Sequence, residues 1–284
     1  MSEKPNFGKK KPFISADYIR HSKAGYKTYG KIVSSDKPTA PFDASSQVTP
    51  DLTPEGQELA AQEAEKYFEK LDPANDAIFF VSSNEARTLE TADVYRRMAH
   101  RKGFEVIKPE NTRSAYAEEL SQGEIRVLKT LSLDSTNLIM DFIFNPKAGR
   151  KAINWKAVDE ETKKKFDQAA AIVEADDQGA FGANYLKYSA YVKQLLPEVI
   201  SAYDLYKKNF RGMLRLLRWA EKKASSTDTK GKRIKVLAFG HENALLYPLQ
   251  EFFQEEGFKN CEVIEFEVQD AAIKGKYRGK EHTF

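Results

Sequence analysis

The 284-residue sequence is 41% hydrophobic, which supplies a core for one large α/β domain or for one domain with an insertion. Its 45 Lys and Arg residues nearly balance 42 Asp and Glu residues, and the net charge of +3 is spread along the chain, which argues against a nucleic-acid partner. The N-terminus lacks a signal-peptide pattern, and no apolar run approaches the roughly 20 residues that a membrane span needs. We therefore expect a soluble, cytoplasmic protein with no membrane partner.

The first strand predicted from the sequence, residues 12–19, runs directly into Arg20 and His21. The next predicted element is a helix that follows a proline-rich stretch. Thr53 would be its N-cap and Pro54 its first helical residue, because the first turn of a helix does not use the amide hydrogen that proline lacks.

Two strand–turn–helix units follow the same pattern in different parts of the chain. Residues 76–81 form an apolar strand before a helix at 86–100, and residues 234–239 form a strand before a helix at 244–256. A last strand at 263–268 completes the alternation of strands and helices. This order predicts a three-layer α/β/α fold with a mostly parallel central sheet.

Residues 128–219 have a charged and helical pattern that Gly and Pro residues interrupt. We expect this stretch to be a helical insertion that covers the edge of the sheet. The whole chain, 1–284, would then be a single domain.

Polar residues follow three of the predicted strands at the point where each strand ends. Arg20 and His21 follow the first, Arg87 lies shortly after the second, and His241 follows the third. Because ligands bind at the carboxyl ends of strands in open α/β sheets, these side chains are expected to meet in one site. Paired arginines suit a phosphoryl group, and an imidazole beside them can attack phosphorus.

Four segments, in the same order, resemble motifs of the histidine phosphatase superfamily, also called the phosphoglycerate mutase-like superfamily. They are Tyr18-Ile19-Arg20-His21-Ser22 for the Arg-His-Gly signature, Leu52-Thr53-Pro54-Glu55-Gly56-Gln57 for the Leu-Thr-Pro-x-Gly helix start, Ser82 to Ala92 for the Ser-Ser-x-x-x-Arg-x-x-x-Thr-Ala segment, and Phe239-Gly240-His241-Glu242 for the Gly-His element. The similarity covers about residues 12–124 and 233–268.

The resemblance implies a phosphoglycerate mutase-like fold and a role for each matching residue. His21 would be the catalytic nucleophile that becomes phosphorylated, and Arg20, Arg87 and His241 would hold the transferring phosphoryl group. The family works without a metal or cofactor, and no metal-ligand spacing occurs in this sequence.

The family also uses an acidic residue to protonate the leaving oxygen. A Glu four residues before a Gly places Glu119 first and Glu118 second, and Glu242, directly after His241, is a third candidate. Lys27 occupies the position of a phosphate-contacting Asn in many members, where its charge can serve the same purpose. Ser22 replaces the usual Gly of the signature.

The resemblance predicts a hydrolase that acts on a small-molecule phosphomonoester through a phosphohistidine. One alternative is a phosphoglycerate mutase-type phosphotransferase, which returns the phosphoryl group to another hydroxyl of the substrate. Another is a catalytically silent module that binds a phospho-ligand or a protein. The sequence predicts neither the physiological substrate nor the oligomeric state.

Overall fold

A computed structural model describes residues 14–25, 27–28, 31–32, 51–128, 131, 154–175, 188, 194–195, 202–224, 231–255, 257–269 and 272–284. The strands in chain order are β1 (Ile14–Arg20), β2 (Lys27–Thr28), β3 (Lys31–Ile32), β4 (Asp76–Ser82), β5 (Glu105–Val106), β6 (Ile125–Val127), β7 (Arg233–Gly240), β8 (Val263–Gln269), β9 (Ala272–Tyr277) and β10 (Lys280–Thr283). The α-helices are α1 (Pro54–Phe68), α2 (Ala86–Arg101), α3 (Ala115–Ser121), α4 (Glu160–Ala175), α5 (Ala202–Ala224) and α6 (Glu242–Pro248).

The central sheet has the strand order β10-β9-β8-β1-β7-β4-β5, and β6 also pairs with β4. The strands β1, β7, β4, β5 and β6 pair in parallel, whereas β8, β9 and β10 pair antiparallel. The prediction of a parallel sheet is therefore confirmed for the half that contains β1, β7 and β4. The short strands β2 and β3 form a separate antiparallel pair.

The strand predicted at 263–268 exists as β8, but it runs antiparallel to its neighbour β1. The chain returns to the carboxyl end of β1 before β8 begins: Phe258 donates its backbone N–H to the Glu242 carboxylate (3.0 Å), and Cys261 donates its N–H to the Arg20 carbonyl (3.0 Å). A strand that starts at the carboxyl end of β1 can only run in the opposite direction.

Helices cover both faces of the sheet, which confirms the predicted three-layer α/β architecture. One face packs against α1, α2 and α3, where the Tyr95 ring lies 5.1 Å from the Phe239 ring and Phe80 stacks on Phe239 at 6.3 Å. Burial of each such side chain stabilises the fold by about 1.5–3 kcal/mol.

The other face packs against α4, α5 and α6 through a second cluster of buried side chains, in which the Phe210 ring lies 6.2 Å from the Phe266 ring. We expected helices of the 128–219 stretch at the edge of the sheet, but α5 lies on its face, because one side of α5 carries the apolar residues that this face needs. That 128–219 is an insertion stays a prediction.

The predicted helix starts are confirmed at α1, where the Thr53 hydroxyl accepts a hydrogen bond from Gly56 N–H (3.0 Å) and Pro54 is the first helical residue. The helix predicted at 244–256 begins earlier, at Glu242, and changes into a π-helical turn, Leu249–Phe253, after Pro248. Proline removes one amide donor and crowds the preceding turn, which favours this widening. Within the described part of the chain, no helix is long and apolar enough to cross a membrane.

Gly240 is the position in the sheet that tolerates a side chain least. A Cβ atom at Gly240 would lie 1.9 Å from the Tyr18 hydroxyl oxygen, which accepts a hydrogen bond from His241 N–H (2.8 Å) and donates one to the His241 carbonyl (3.0 Å). The glycine therefore permits the contact that fixes the backbone of His241.

We predict that Gly240→Ala lowers the free energy of unfolding by about 1–3 kcal/mol, because overpacking displaces Tyr18. Gly212→Ala is the matched control: no atom lies within 4 Å of its added Cβ, and in the helix α5 this change is expected to stabilise by about 0.5–1 kcal/mol. Denaturant unfolding of both variants measures the difference. Equal stability of the two variants would contradict the account of Gly240.

Candidate active site

The His21 backbone is fixed from two sides where β1 ends. Its N–H donates to the Gly240 carbonyl (3.0 Å), and its own carbonyl accepts from the Asn260 side-chain amide (2.8 Å). The ring Nδ1 lies 2.7 Å from the Ser22 carbonyl oxygen, which can only accept. Nδ1 therefore carries the hydrogen, and the lone pair lies on Nε2.

The His21 ring is neutral at physiological pH. Burial lowers its pKa to about 3, the charge of Arg87 and then that of Arg20 act in the same direction, and the hydrogen bond to Ser22 opposes them. In the unfolded chain the pKa is about 6.5. Between these two pKa values the unfolded chain binds a proton at His21 and the folded chain does not. The contribution of His21 to the free energy of unfolding is therefore fully present above about pH 6.5 and is lost as the pH falls towards 3.

His241 lies beside His21, with ring centroids 5.2 Å apart. Its Nε2 is 3.0 Å from the Ser83 hydroxyl, which is 2.6 Å from the Thr88 hydroxyl, and Thr88 donates to the Glu85 carbonyl (2.7 Å). Because the Thr88 hydroxyl gives its hydrogen to the Glu85 carbonyl, Ser83 must donate to Thr88. The Ser83 hydroxyl can then only accept from His241, so Nε2 of His241 carries the hydrogen. Burial, followed by the positive charges nearby, holds the pKa of His241 well below its usual range.

Arg20 is the last residue of β1, and contacts on one side hold its guanidinium. Its Nη1 is 2.8 Å from the Glu242 carboxylate and also donates to the Phe258 carbonyl. Among the described residues none accepts a hydrogen bond from its buried Nε. The guanidinium is thus anchored by one nitrogen and can present another to an anion.

Arg87, in the first turn of α2, is the second buried cation. Its Nη1 lies 3.7 Å from the Asp51 carboxylate and 3.5 Å from the Glu85 carboxylate. The positive charges of Arg87 and Arg20 both lower the pKa of His21. Two cations beside two neutral imidazoles can bind a phosphoryl group.

The acidic candidates from the sequence have different environments. Glu119 and Glu118 are exposed on α3, and the Glu118 carboxylate accepts a hydrogen bond from the Thr112 hydroxyl (3.3 Å). Glu242 is 5% exposed and is ion-paired with Arg20. Of the three carboxylates, only Glu242 contacts one of the predicted phosphate-binding residues in the part of the chain that the structure describes.

Two further predicted features can be placed. Ser22 has a structural reason to replace Gly, since its hydroxyl donates to the Gly56 carbonyl (2.6 Å) and its N–H donates to the Thr91 hydroxyl (3.0 Å). Lys27 begins β2, and its role as a phosphate ligand stays a prediction. Within the described ranges, no group of three His, Cys, Asp or Glu side chains could hold a metal ion.

Sequence reasoning missed Asp51 and Asn260 as residues of this site. Asp51 directly precedes the Leu-Thr-Pro-x-Gly segment, so its position beside a recognised motif was the one available signal. Asn260 contacts His21 from more than two hundred positions along the chain, and nothing local in the sequence indicates that contact.

All four motif segments meet at the carboxyl ends of β1, β4 and β7, as the resemblance implies. This chain resembles the histidine phosphatase superfamily. No family model matches the sequence, and no curated protein matches it. Phosphatases and mutases both occur among the solved structures that are similar to it.

Three of these structures cover most of the chain. A phosphoglycerate mutase from Bacillus anthracis is 13% identical, with a TM-score of 0.48 over 95% of this chain and 94% of that chain. A multiple inositol polyphosphate phosphatase from Bifidobacterium longum is 10% identical, with a TM-score of 0.46 and coverage of 99% and 88%. A phosphoserine phosphatase from Entamoeba histolytica is 12% identical, with a TM-score of 0.42 and coverage of 94% and 97%.

All three TM-scores are below 0.5. The assignment of an activity therefore rests on this chain's own residues.

We predict opposite neutral tautomers for the two buried histidines, because each ring has a different hydrogen-bond partner. At neutral pH, nitrogen-15 NMR should detect a hydrogen on Nδ1 of His21 and on Nε2 of His241, with no titration between about pH 5 and about pH 8. His21→Asn and His241→Asn assign the signals. A His21 ring that titrates near its ordinary pKa would contradict this geometry.

Proposed function

We propose that this protein is a histidine phosphatase that hydrolyses a small-molecule phosphomonoester through a phosphohistidine on His21. The observation that carries the proposal is the state of the His21 ring, which is buried and neutral. Because Nδ1 is hydrogen-bonded to the Ser22 carbonyl, the lone pair of the neutral ring lies on Nε2, the nitrogen that we propose attacks phosphorus. Arg20 and Arg87 supply the positive charge that a phosphoryl group needs.

In the first step the His21 Nε2 lone pair attacks phosphorus, and the bond from phosphorus to the ester oxygen breaks. The leaving oxygen takes a proton from an acid and departs as an alcohol. The ring then carries a positive charge, which the hydrogen bond from Nδ1 to the Ser22 carbonyl stabilises. The two guanidinium groups stabilise the transferring phosphoryl oxygens.

In the second step a water molecule attacks phosphorus, and the phosphorus–nitrogen bond breaks. The same acidic residue, now a carboxylate, takes the proton of the water. Inorganic phosphate leaves, and His21 returns to its neutral state. Every bond change uses residues of this chain and water, so the proposed reaction needs no metal or cofactor.

Glu242 is the acid that we assign to these proton transfers, in place of Glu119, the first choice from the sequence. A proton donor needs a carboxyl that can be protonated near neutral pH, and burial, which favours the neutral form, applies to Glu242 but not to the exposed Glu119. In the free protein, the ion pair with Arg20 and the hydrogen bond from Phe258 N–H favour the ionised form of Glu242. When a phosphoryl oxygen takes over part of that pairing, its negative charge favours protonation of Glu242.

The first test is the release of inorganic phosphate from an aryl phosphate in the presence of EDTA. We expect turnover by the native protein and a loss of roughly a thousandfold or more in His21→Ala, because the nucleophile is gone. His100→Ala is the control, since His100 is an exposed residue near the end of α2 that pairs with Glu124.

Equal turnover by the native protein and His21→Ala would contradict the proposal. Dependence on a metal would contradict the cofactor-free mechanism. With natural phosphomonoesters, recovery of an isomer in place of phosphate would indicate a mutase. Binding of phosphate with no turnover of any phosphomonoester would indicate a silent module.

The assignment of the acid has its own test. Glu242→Gln should lower kcat about a hundredfold or more on an alkyl phosphate, whose leaving group needs a proton. On a dinitrophenyl phosphate, whose leaving group needs none, the loss in the same step should be small. Glu119→Gln should behave like the native protein on both substrates; if Glu119→Gln shows the leaving-group dependence instead, the acid is Glu119.

A further inference from the structure

The Glu90 carboxylate lies one turn beyond Arg87 on α2 and is 8% exposed. It accepts three hydrogen bonds: from the backbone N–H of Asp51 (2.9 Å), from the backbone N–H of Leu52 (2.7 Å) and from the Tyr116 hydroxyl (2.9 Å). Both carboxylate oxygens are used. The Glu90 side chain therefore connects α2, which carries Arg87, to the turn before α1 by hydrogen bonds. Tyr116 of α3 adds a third hydrogen bond to the same carboxylate.

The turn that Glu90 holds is part of the candidate active site. Asp51 places a buried carboxylate 3.7 Å from the Arg87 guanidinium. Its carbonyl accepts from Gly25 N–H (2.7 Å), and Thr53 N–H donates to the Lys23 carbonyl (3.2 Å). The turn thus supports both Arg87 and the loop that follows His21.

The start of α1 packs closely against the loop after His21 at Gly56. A Cβ at Gly56 would lie 2.0 Å from the Lys23 carbonyl oxygen, so the start of α1 lies directly against the loop after His21. The Gly56 carbonyl also accepts from the Ser22 hydroxyl. A shift of the turn held by Glu90 would therefore move the His21 loop and the partner of Arg87 together.

We propose that Glu90 is a positioning residue for phosphoryl binding, which acts through Asp51 and Arg87 without touching the substrate. This inference rests on the proposed function, because it requires that Arg87 binds the phosphoryl group. The carboxylate of Glu90 is essential, because two backbone N–H groups donate to its two different oxygens, whereas an amide offers only one acceptor oxygen. Glu90→Gln leaves at least one of these buried donors without a partner.

The test is calorimetric binding of inorganic phosphate to the full chain. Glu90→Gln should weaken binding about tenfold, the result of one unsatisfied buried donor displacing the turn. Arg87→Lys keeps the charge of Arg87 but loses its planar fork, and should also weaken binding. In the Arg87→Lys background, Glu90→Gln should cause little further loss, because both changes act on the same contact.

Glu124→Gln is the matched control. The Glu124 carboxylate also braces α2, through Arg96 (2.7 Å) and His100 (2.8 Å), but lies outside the active site. The Glu124→Gln variant should have a lower melting temperature and an unchanged affinity for phosphate. Tyr116→Phe is a milder variant, for use if Glu90→Gln does not fold. It removes one of the three donors to Glu90 and keeps both backbone hydrogen bonds, so it should weaken phosphate binding only two- to threefold.

The outcomes separate this inference from the proposed function. If Arg87→Lys weakens phosphate binding but folded Glu90→Gln and Tyr116→Phe do not, the positioning role is wrong and the phosphate site stands. If Glu90→Gln and Arg87→Lys give fully additive losses, Glu90 does not act through Arg87, which also overturns the inference. If the native protein does not bind phosphate or Arg87→Lys has no effect, the proposed function itself fails.

Discussion

The parallel pairing of β1 with β7 is the constraint on which the candidate site depends. Its register places Arg20 opposite Gly240, so His21 and His241 leave the sheet at the same level. β4 pairs with the other edge of β7 in a register that places Ser82 opposite Phe239, which brings Ser83 within 3.0 Å of His241. A shift of one residue in either pair would turn these side chains to opposite faces of the sheet.

The site combines strong positive charge with two uncharged rings. Burial beside Arg20 and Arg87 holds the pKa of both histidines low, because a third positive charge in a small, dry space is unfavourable. The same cations that keep His21 neutral would stabilise the charge of a phosphoryl group. One arrangement therefore accounts for both the nucleophile and the binding of its target.

Much of this organisation could be predicted from the sequence, because the relevant signals are local. Strand patterns that end in Arg20-His21 and Gly240-His241, and the capped start of α1, involve neighbouring residues. The antiparallel direction of β8 could not be predicted, because it depends on a return loop held by Glu242 and Arg20.

The sequence could not distinguish among the acidic candidates either, because the distinction depends on tertiary contacts. Spacing to a glycine favoured Glu119, yet burial and contact with Arg20 depend on tertiary packing and distinguish Glu242. Asp51 and Glu90 contribute through contacts between α2 and the turn before α1. No periodicity in the sequence encodes those contacts.

The most direct test of the proposed mechanism is to trap the covalent intermediate. The native protein would be mixed with a phosphorus-32-labelled phosphomonoester, denatured in alkali and digested, and the labelled peptide would be analysed by mass spectrometry. We predict one alkali-stable, acid-labile phosphohistidine at His21, attached at Nε2, because Nδ1 is hydrogen-bonded to Ser22. Turnover with no label on His21, or a label on another residue or on Nδ1, would contradict the proposed mechanism.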